Sequence, residues 1–195
     1  MKIILIRHSQ TASTLLKKYM GASDEPLCEE GILNANNAKL YPDVCKVYTS
    51  GMKRTNETAK IMFPNAEVIE KPELREMDFG NFEGKSHDEL SDNEEYRNWL
   101  ESFCEDACPN GEKKEEFTKR CVSGFINIAN EEFESGAEEL YFVVHGGVIM
   151  ALLSELVTPK IKNYFETRVE CCESIELETY EESLCFERPF KMINN

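Results

Sequence analysis

The stretch IILIRHSQT, residues 3–11, sets four branched apolar side chains directly before Arg7, His8 and a run of small polar residues. An unbroken apolar run that ends this sharply reads as a strand buried on both faces, the pattern of a parallel sheet flanked by helices. His8 is one of three histidines in the chain. A strand that leaves a core straight onto Arg-His carries those side chains beyond its carboxyl end, where ligands bind in open α/β sheets.

Working outward, two further runs read as buried strands, CKVYTS at 45–50 and LYFVV at 140–144. Helical patterns lie between and after them. EEGILNANNAKLY places Ile32, Leu33, Asn36 and Leu40 at helical spacing, and KRTNETAKIMF places Thr55, Thr58, Ala59 and Met62 on one face. In EKKEEFTKRCVSGFINIANEEF, Phe117, Cys121, Phe125 and Ile128 repeat every three or four residues against a charged opposite side. GVIMALLSELV reads as a mostly buried helix, and ECCESIELETYEESLCFER as two strands joined by a turn at a sheet edge. Strands alternating with helices predict an α/β fold, a three-layer α/β/α sandwich with a mainly parallel central sheet and an antiparallel edge.

The length of 195 residues suits a single domain spanning 1–195. From about 84 to 111 the chain is acidic, lacks a strand pattern and carries Tyr96 and Trp99, which predicts a helical cap insertion over one end of the sheet. With 22 basic and 37 acidic residues, the formal charge of −15 would repel nucleic acid and an anionic membrane surface, and favours a small-molecule partner. No signal-peptide core or membrane span is legible, so the expected location is the cytoplasm. The eight cysteines form no CxxC pair, and reduced thiols are expected. Cys104 and Cys108, four apart, would share a face if helical. Monomer and homodimer both remain open.

The chemistry gathers at the strand ends. The first strand ends at Arg7 and His8, the second at Thr49 and Ser50 with Lys53 and Arg54 in the next turn, and the third at His145, Gly146 and Gly147. If the three strands are parallel neighbours, two histidines and two arginines converge on a pocket for a small dianion. Arginine offers a planar fork suited to phosphate oxygens. The glycines let backbone approach closely, and the following helix N-terminus adds amide donors. An imidazole whose other nitrogen is held by a hydrogen bond can attack phosphorus, and the leaving alkoxide then needs a proton. LREMDFGNFEG, residues 74–84, offers Glu76, Asp78 and Glu83 as that acid, and spacing alone does not choose among them.

These segments together resemble the histidine phosphatase superfamily, the phosphoglycerate mutase-like proteins, over nearly the whole chain. LIRHSQT resembles the family's Arg-His-Gly signature, YTSGMKRTNETA its Ser-x-x-x-Arg-x-x-x-Thr-Ala segment, LREMDFGNFEG its acid loop, and VVHGGV its second-histidine motif. The resemblance implies that His8 becomes phosphohistidine, that Arg7, Arg54 and His145 hold the phosphoryl group, with Gly146 beside them, and that Glu76 is the proton donor. It implies no cofactor and no metal. Ser9 stands where the signature has glycine, and Thr14 where many members place a phosphate-contacting asparagine.

The segment EEYRNWLESFCEDACPNGEKKEEFTKR is similar to the cap region of α-ribazole phosphatase-like proteins of cobalamin biosynthesis, in its Tyr-x-x-Trp pair and Pro-x-Gly-Glu turn. That similarity puts α-ribazole 5′-phosphate first among substrates. A phosphoglycerate mutase, a non-catalytic phospholigand-binding module and a metal-dependent hydrolase are the alternatives, and paired arginines argue against a bound cation. Of the remaining residues, Glu83 is read as ordering its loop and His87 as exposed. Tyr96 and Trp99 are read as cap packing rather than a stacking platform, and the charge run 112–116 as a solvated helix face rather than Glu112 closing the pocket.

Overall fold

The apolar run at 3–6 forms the centre of β1 (Lys2–Arg7), where Ile3 and Leu5 point to one face of a sheet and Ile4 and Ile6 to the other, all four buried. The computed structural model describes residues 1–159, 167–179 and 190–193. Among these, the remaining strands are β2 (Lys46–Thr49), β3 (Glu67–Glu70), β4 (Glu139–Val144), β5 (Ser174–Thr179) and β6 (Phe190–Met192). They form a sheet in the order β3-β2-β4-β1-β5-β6, parallel from β3 to β1 and antiparallel at β5 and β6.

Helices cover both faces. On one side α6 (Lys114–Glu134) and α7 (Gly146–Leu156) bury Phe117, Cys121, Phe125, Ile128, Ile149 and Leu153 against Ile3, Leu5 and Phe142. On the other, α3 (Lys53–Met62) buries Ala59 and Met62 with Phe63 against Ile4, Ile6 and Val143. This is the predicted three-layer α/β/α sandwich. The dense, two-sided core fixes the strand ends that carry the chemistry, because each apolar side chain removed from water contributes on the order of 1.5–3 kcal/mol.

One strand was missed and two expectations are corrected. Strand β3 was not legible, since its residues EVIE are half-exposed or exposed at the sheet edge and lack a buried apolar run. Helix α2 (Glu29–Asn37) buries Gly31 and Ala35, whereas Ile32 and Leu33 are 43% and 63% exposed and Leu40 lies beyond the helix, half in solvent. The reason is close approach to the turn after β1: a Cβ on residue 31 would stand 1.9 Å from the Gln10 carbonyl oxygen. Cys104 and Cys108 follow the end of α5 (Glu94–Glu101) in an irregular turn, where Phe103 and Cys104 take positive φ, and so share no helix face. The seven described cysteines are free thiols. The second half of the C-terminal hairpin expected at 170–188 lies outside the described residues beyond Thr179, and β6 follows it.

The segment expected as a cap contains two short helices, α4 (His87–Leu90) and α5. Tyr96 and Trp99 are buried against Phe82, and both meet Tyr19, which follows β1. His87 is exposed, with its Nδ1 2.8 Å from the Tyr96 hydroxyl. Among the described residues no helix is long and apolar enough to cross a membrane.

Candidate active site

Parallel register builds the site. Arg7 pairs with Val144 across β1 and β4, so the next residues, His8 and His145, leave the sheet side by side. Their rings meet edge to face with centroids 5.1 Å apart. Thr49 pairs with Val143, which brings Ser50 to the same place from the neighbouring strand.

His8 is buried, with Nδ1 2.7 Å from the Ser9 carbonyl oxygen. A carbonyl only accepts, so Nδ1 carries the proton and Nε2 holds the lone pair, on a ring that forms part of a cavity wall. Burial above all, then the Arg54 charge, lowers its pKa to about 3 against the opposing pull of the Ser9 bond. The imidazole is therefore neutral at any ordinary pH.

His145 is fixed in the opposite tautomer. Arg54 Nε donates to its Nδ1 at 3.3 Å, so Nε2 carries the hydrogen and donates to Ser50 Oγ at 2.8 Å. The chain continues through the Ser50 hydroxyl to Thr55 Oγ1 at 3.0 Å and from Thr55 to the Met52 carbonyl at 2.8 Å. Burial, then Arg54, holds the His145 pKa well below the ordinary value. The Ser-x-x-x-Arg-x-x-x-Thr spacing thus has one task per residue: Ser50 and Arg54 orient His145, and Thr58 accepts the Ser9 amide at 2.9 Å while donating to the Arg54 carbonyl.

Glu76 is clamped by backbone. Its Oε2 accepts from Gly147 at the start of α7 at 2.9 Å, and Oε1 from Met77 at 3.0 Å. Burial raises its pKa despite those two donors and the charges of Arg54 and Arg7. A Cβ at 147 would lie 2.2 Å from Glu76 Oε1, so any larger residue there would push the carboxyl from its place. Sequence reasoning assigned the α7 N-terminus to the ligand; the Gly147 amide holds the acid instead.

The cavity beside His8 has a volume of about 350 Å³. Of the expected residues, Arg7, His8, Thr14, Glu76 and Gly146 line it. Arg7 donates through Nη1 to the Val169 carbonyl at 2.7 Å, and its buried Nε has no partner among the described residues. A buried guanidinium N–H without an acceptor is costly, and an oxygen of a bound anion would satisfy it.

Two expectations shift. Arg54 and His145 are fully buried beneath the cavity and do not line it, because Arg54 directs Nη1 to the Ser23 carbonyl and Nη2 to that of Gly21 while Nε holds His145. The Thr14 hydroxyl is tied into the capping box of the short helix α1 (Ala12–Leu15), accepting from the Thr11 amide at 2.7 Å and donating to its carbonyl. Ser9 is accommodated without strain, its hydroxyl donating to the Gly31 carbonyl at 2.7 Å. Glu83 orders its loop as read, accepting the amides of Gly21, Ala22, Ser23 and Phe79. Lys53 is exposed.

Sequence reasoning missed the far side of the cavity. Tyr19, Met20, Phe79 and Met150 form an apolar wall, with Lys18 and Arg168 among the polar lining. The rings of Tyr19 and Phe79 are 5.0 Å apart, and Trp99 packs behind both. Tyr96 and Trp99 back this wall and do not line the cavity, in keeping with the packing role read for them.

A lone pair on a neutral imidazole, an unpaired guanidinium donor and a buried carboxyl around one cavity make an arrangement for phosphoryl transfer. The family model that describes the histidine phosphatase superfamily, branch 1, matches residues 3–189. The chain belongs to that superfamily. Among relatives of this histidine phosphatase, an adenosylcobalamin/alpha-ribazole phosphatase of Salmonella typhimurium is 30% identical over 186 residues, 91% of each chain. A protein of Cronobacter sakazakii named "Probable phosphoglycerate mutase GpmB" is 32% identical over 165 residues, 80% of this chain and 75% of that one. The crystal structure of the alpha-ribazole phosphatase from Shigella flexneri superposes with a TM-score of 0.79 at 26% identity, covering 93% of this chain and 92% of the other.

The two neutral histidines have a consequence for stability. Below the ordinary imidazole pKa of about 6.5 the unfolded chain takes up protons at both positions while the folded chain does not, so stability falls as pH falls. Denaturant titration is expected to show a loss of about 2.7 kcal/mol between about pH 7.5 and about pH 5.5. The raised Glu76 pKa works in the opposite direction nearer its own titration, since there the folded chain binds the extra proton. An unchanged or higher midpoint at the lower pH would contradict the assignment of two neutral buried imidazoles.

Proposed function

We propose that this histidine phosphatase is a phosphomonoesterase that works through a phosphohistidine at His8, with α-ribazole 5′-phosphate as its first candidate substrate. The observation that carries the reading is the His8 tautomer, which leaves Nε2 free to attack because Nδ1 is bound to the Ser9 carbonyl. In the first step the Nε2 lone pair forms a bond to phosphorus, the bond from phosphorus to the ester oxygen breaks, and the departing alkoxide takes the Glu76 proton. In the second, water attacks the phosphohistidine, Glu76 recovers a proton from it, and inorganic phosphate leaves with His8 restored.

Arg7 supports the reading as the phosphoryl clamp, since its unpaired Nε lies in the same buried region. Arg54 and His145 act from beneath as a charge and a dipole fixed against His8. A dianion in the cavity would offset part of the positive charge that Arg7 and Arg54 place around His8. The apolar wall of Tyr19, Phe79, Met20 and Met150 suits the planar base of α-ribazole phosphate. The naming of the Salmonella and Shigella proteins points the same way.

The mutase reading differs only in the acceptor of the phosphoryl group, a sugar acid in place of water. A panel of phosphate esters that includes α-ribazole 5′-phosphate and 3-phosphoglycerate, assayed with excess chelator, separates the two. Release of inorganic phosphate, fastest from α-ribazole phosphate and undiminished by chelator, is expected. Exchange between 2- and 3-phosphoglycerate with little free phosphate would overturn the proposal.

A further inference from the structure

The loop that carries Glu76 is held by side chains that never reach the cavity. Arg120 on α6 directs Nε and Nη2 to the two carboxylate oxygens of Glu112 at 3.0 and 2.8 Å. Its Nη1 donates to the carbonyl oxygens of Glu73 and Arg75 at 2.8 and 3.0 Å, and Nη2 reaches that of Glu76 at 3.4 Å. Three carbonyls of one four-residue stretch thus converge on a single guanidinium, so the loop curves around Arg120.

The Pro109–Glu112 turn grips the same loop from its other side. The Glu112 amide donates to the Asp78 carbonyl at 2.9 Å, its carboxylate accepts the Asp78 amide at 3.4 Å, and the Asn81 amide donates to the Pro109 carbonyl at 2.9 Å. One turn further along α6, Gly124 allows the two backbones to approach, since a Cβ there would stand 2.6 Å from that of Glu73. Arg120 and Glu112 line a separate recess that shares only Glu76 with the His8 cavity. Neither lines the His8 cavity, so they bear on the chemistry through the position of Glu76 and through the Arg120 charge, which Arg120→Lys keeps.

We infer that Arg120, oriented by Glu112, is a positioning residue that sets the Glu76 carboxyl against the α7 amide and the leaving-group oxygen. The task needs the guanidinium fork: a lysine ammonium keeps the charge but cannot span a carboxylate on one edge and backbone carbonyls on the other. The inference rests on the reading of Glu76 as proton donor. It predicts a dependence on leaving group that a merely structural role would not produce. An alkoxide departs only with a proton, whereas 4-nitrophenolate departs without one, so displacement of the acid slows the first class of ester and spares the second.

The test is kcat/KM for an alkyl phosphate and for 4-nitrophenyl phosphate in Arg120→Gln, Arg120→Lys and Glu112→Gln, since that ratio reports the steps through phosphoryl transfer to the enzyme. A misplacement of the acid on the order of 1 Å is expected to lower the alkyl value by about 30- to 100-fold in both Arg120 variants, and by less in Glu112→Gln. The 4-nitrophenyl value is expected to stay within about threefold. Circular dichroism checks the fold, and Glu112→Gln decides the matter if the Arg120 variants do not fold. Equal losses on the two esters in a folded variant, no loss on either, or full activity in Arg120→Lys would overturn the inference. A wild-type protein inert toward both esters would instead overturn the phosphatase reading, and this inference with it.

Discussion

Replacing His8 with alanine is expected to lower the turnover of every phosphate ester by on the order of 10⁴-fold or more, the scale seen when a covalent nucleophile is removed. None of the other expected site residues that line the cavity can take over the role. The Thr14 hydroxyl is tied to the Thr11 backbone, the Glu76 carboxylate is held by two amides, and Arg7 has no lone pair to offer. The loss should not reflect unfolding. The His8 ring makes one hydrogen bond, to Ser9, while the strand beneath it is secured by Ile3, Ile4, Leu5 and Ile6 on both sheet faces. Steady-state rates with 4-nitrophenyl phosphate, alongside a thermal melt, give the comparison. Retention of more than about one hundredth of wild-type activity would point to a mechanism in which water attacks phosphorus directly.

The second large effect is expected for Glu76→Gln. On an alkyl ester kcat/KM should fall by roughly 10²- to 10⁴-fold, the usual contribution of a positioned general acid. On 4-nitrophenyl phosphate the first step should persist while the second, which needs Glu76 as base, slows, so that phosphoenzyme accumulates. The pH profile carries the sign. Burial raises the Glu76 pKa, so the proton that the leaving group needs is present at low pH and lost as pH rises through that raised value. Wild-type kcat/KM on the alkyl ester should therefore decline on the alkaline side, and that limb should vanish in Glu76→Gln. An amide has one oxygen, so the Met77 or the Gly147 amide also loses its acceptor. A variant that loses kcat/KM equally on both esters, with the alkaline limb intact, would contradict the assignment of Glu76.

Much of this site could be read from sequence because strand register is a local consequence of buried apolar runs. Once IILI and LYFVV are both central strands of a parallel sheet, their polar ends fall together, and His8 meets His145 without further information. The Ser50, Arg54 and Thr58 spacing was legible for a related reason: a strand end followed by a helix puts positions four apart on one face. What sequence could not provide were contacts decided by distant packing. No spacing rule pairs Arg120 with carbonyls at 73–76, and no composition rule says which rings of the Tyr19, Phe79, Tyr96 and Trp99 cluster face the cavity. Helix α2 was read correctly as a helix, but its buried face was not, for a third reason. Its buried face is chosen by how closely backbone approaches Gln10, which selects Gly31 and Ala35 over the larger apolar side chains. Arg54 lay between these cases, since its placement near His145 was foreseen but its burial beneath the cavity was not.

The central claim is a covalent bond between phosphorus and His8 Nε2. Rapid quenching of the protein with an isotopically labelled phosphate ester, followed by peptide mapping, tests it most directly. An acid-labile, base-stable label on the peptide that contains His8, formed at the rate of the first step and absent in His8→Ala, is the result the geometry predicts. A protein that turns over the ester while carrying no label, or carrying it on another residue, would contradict it.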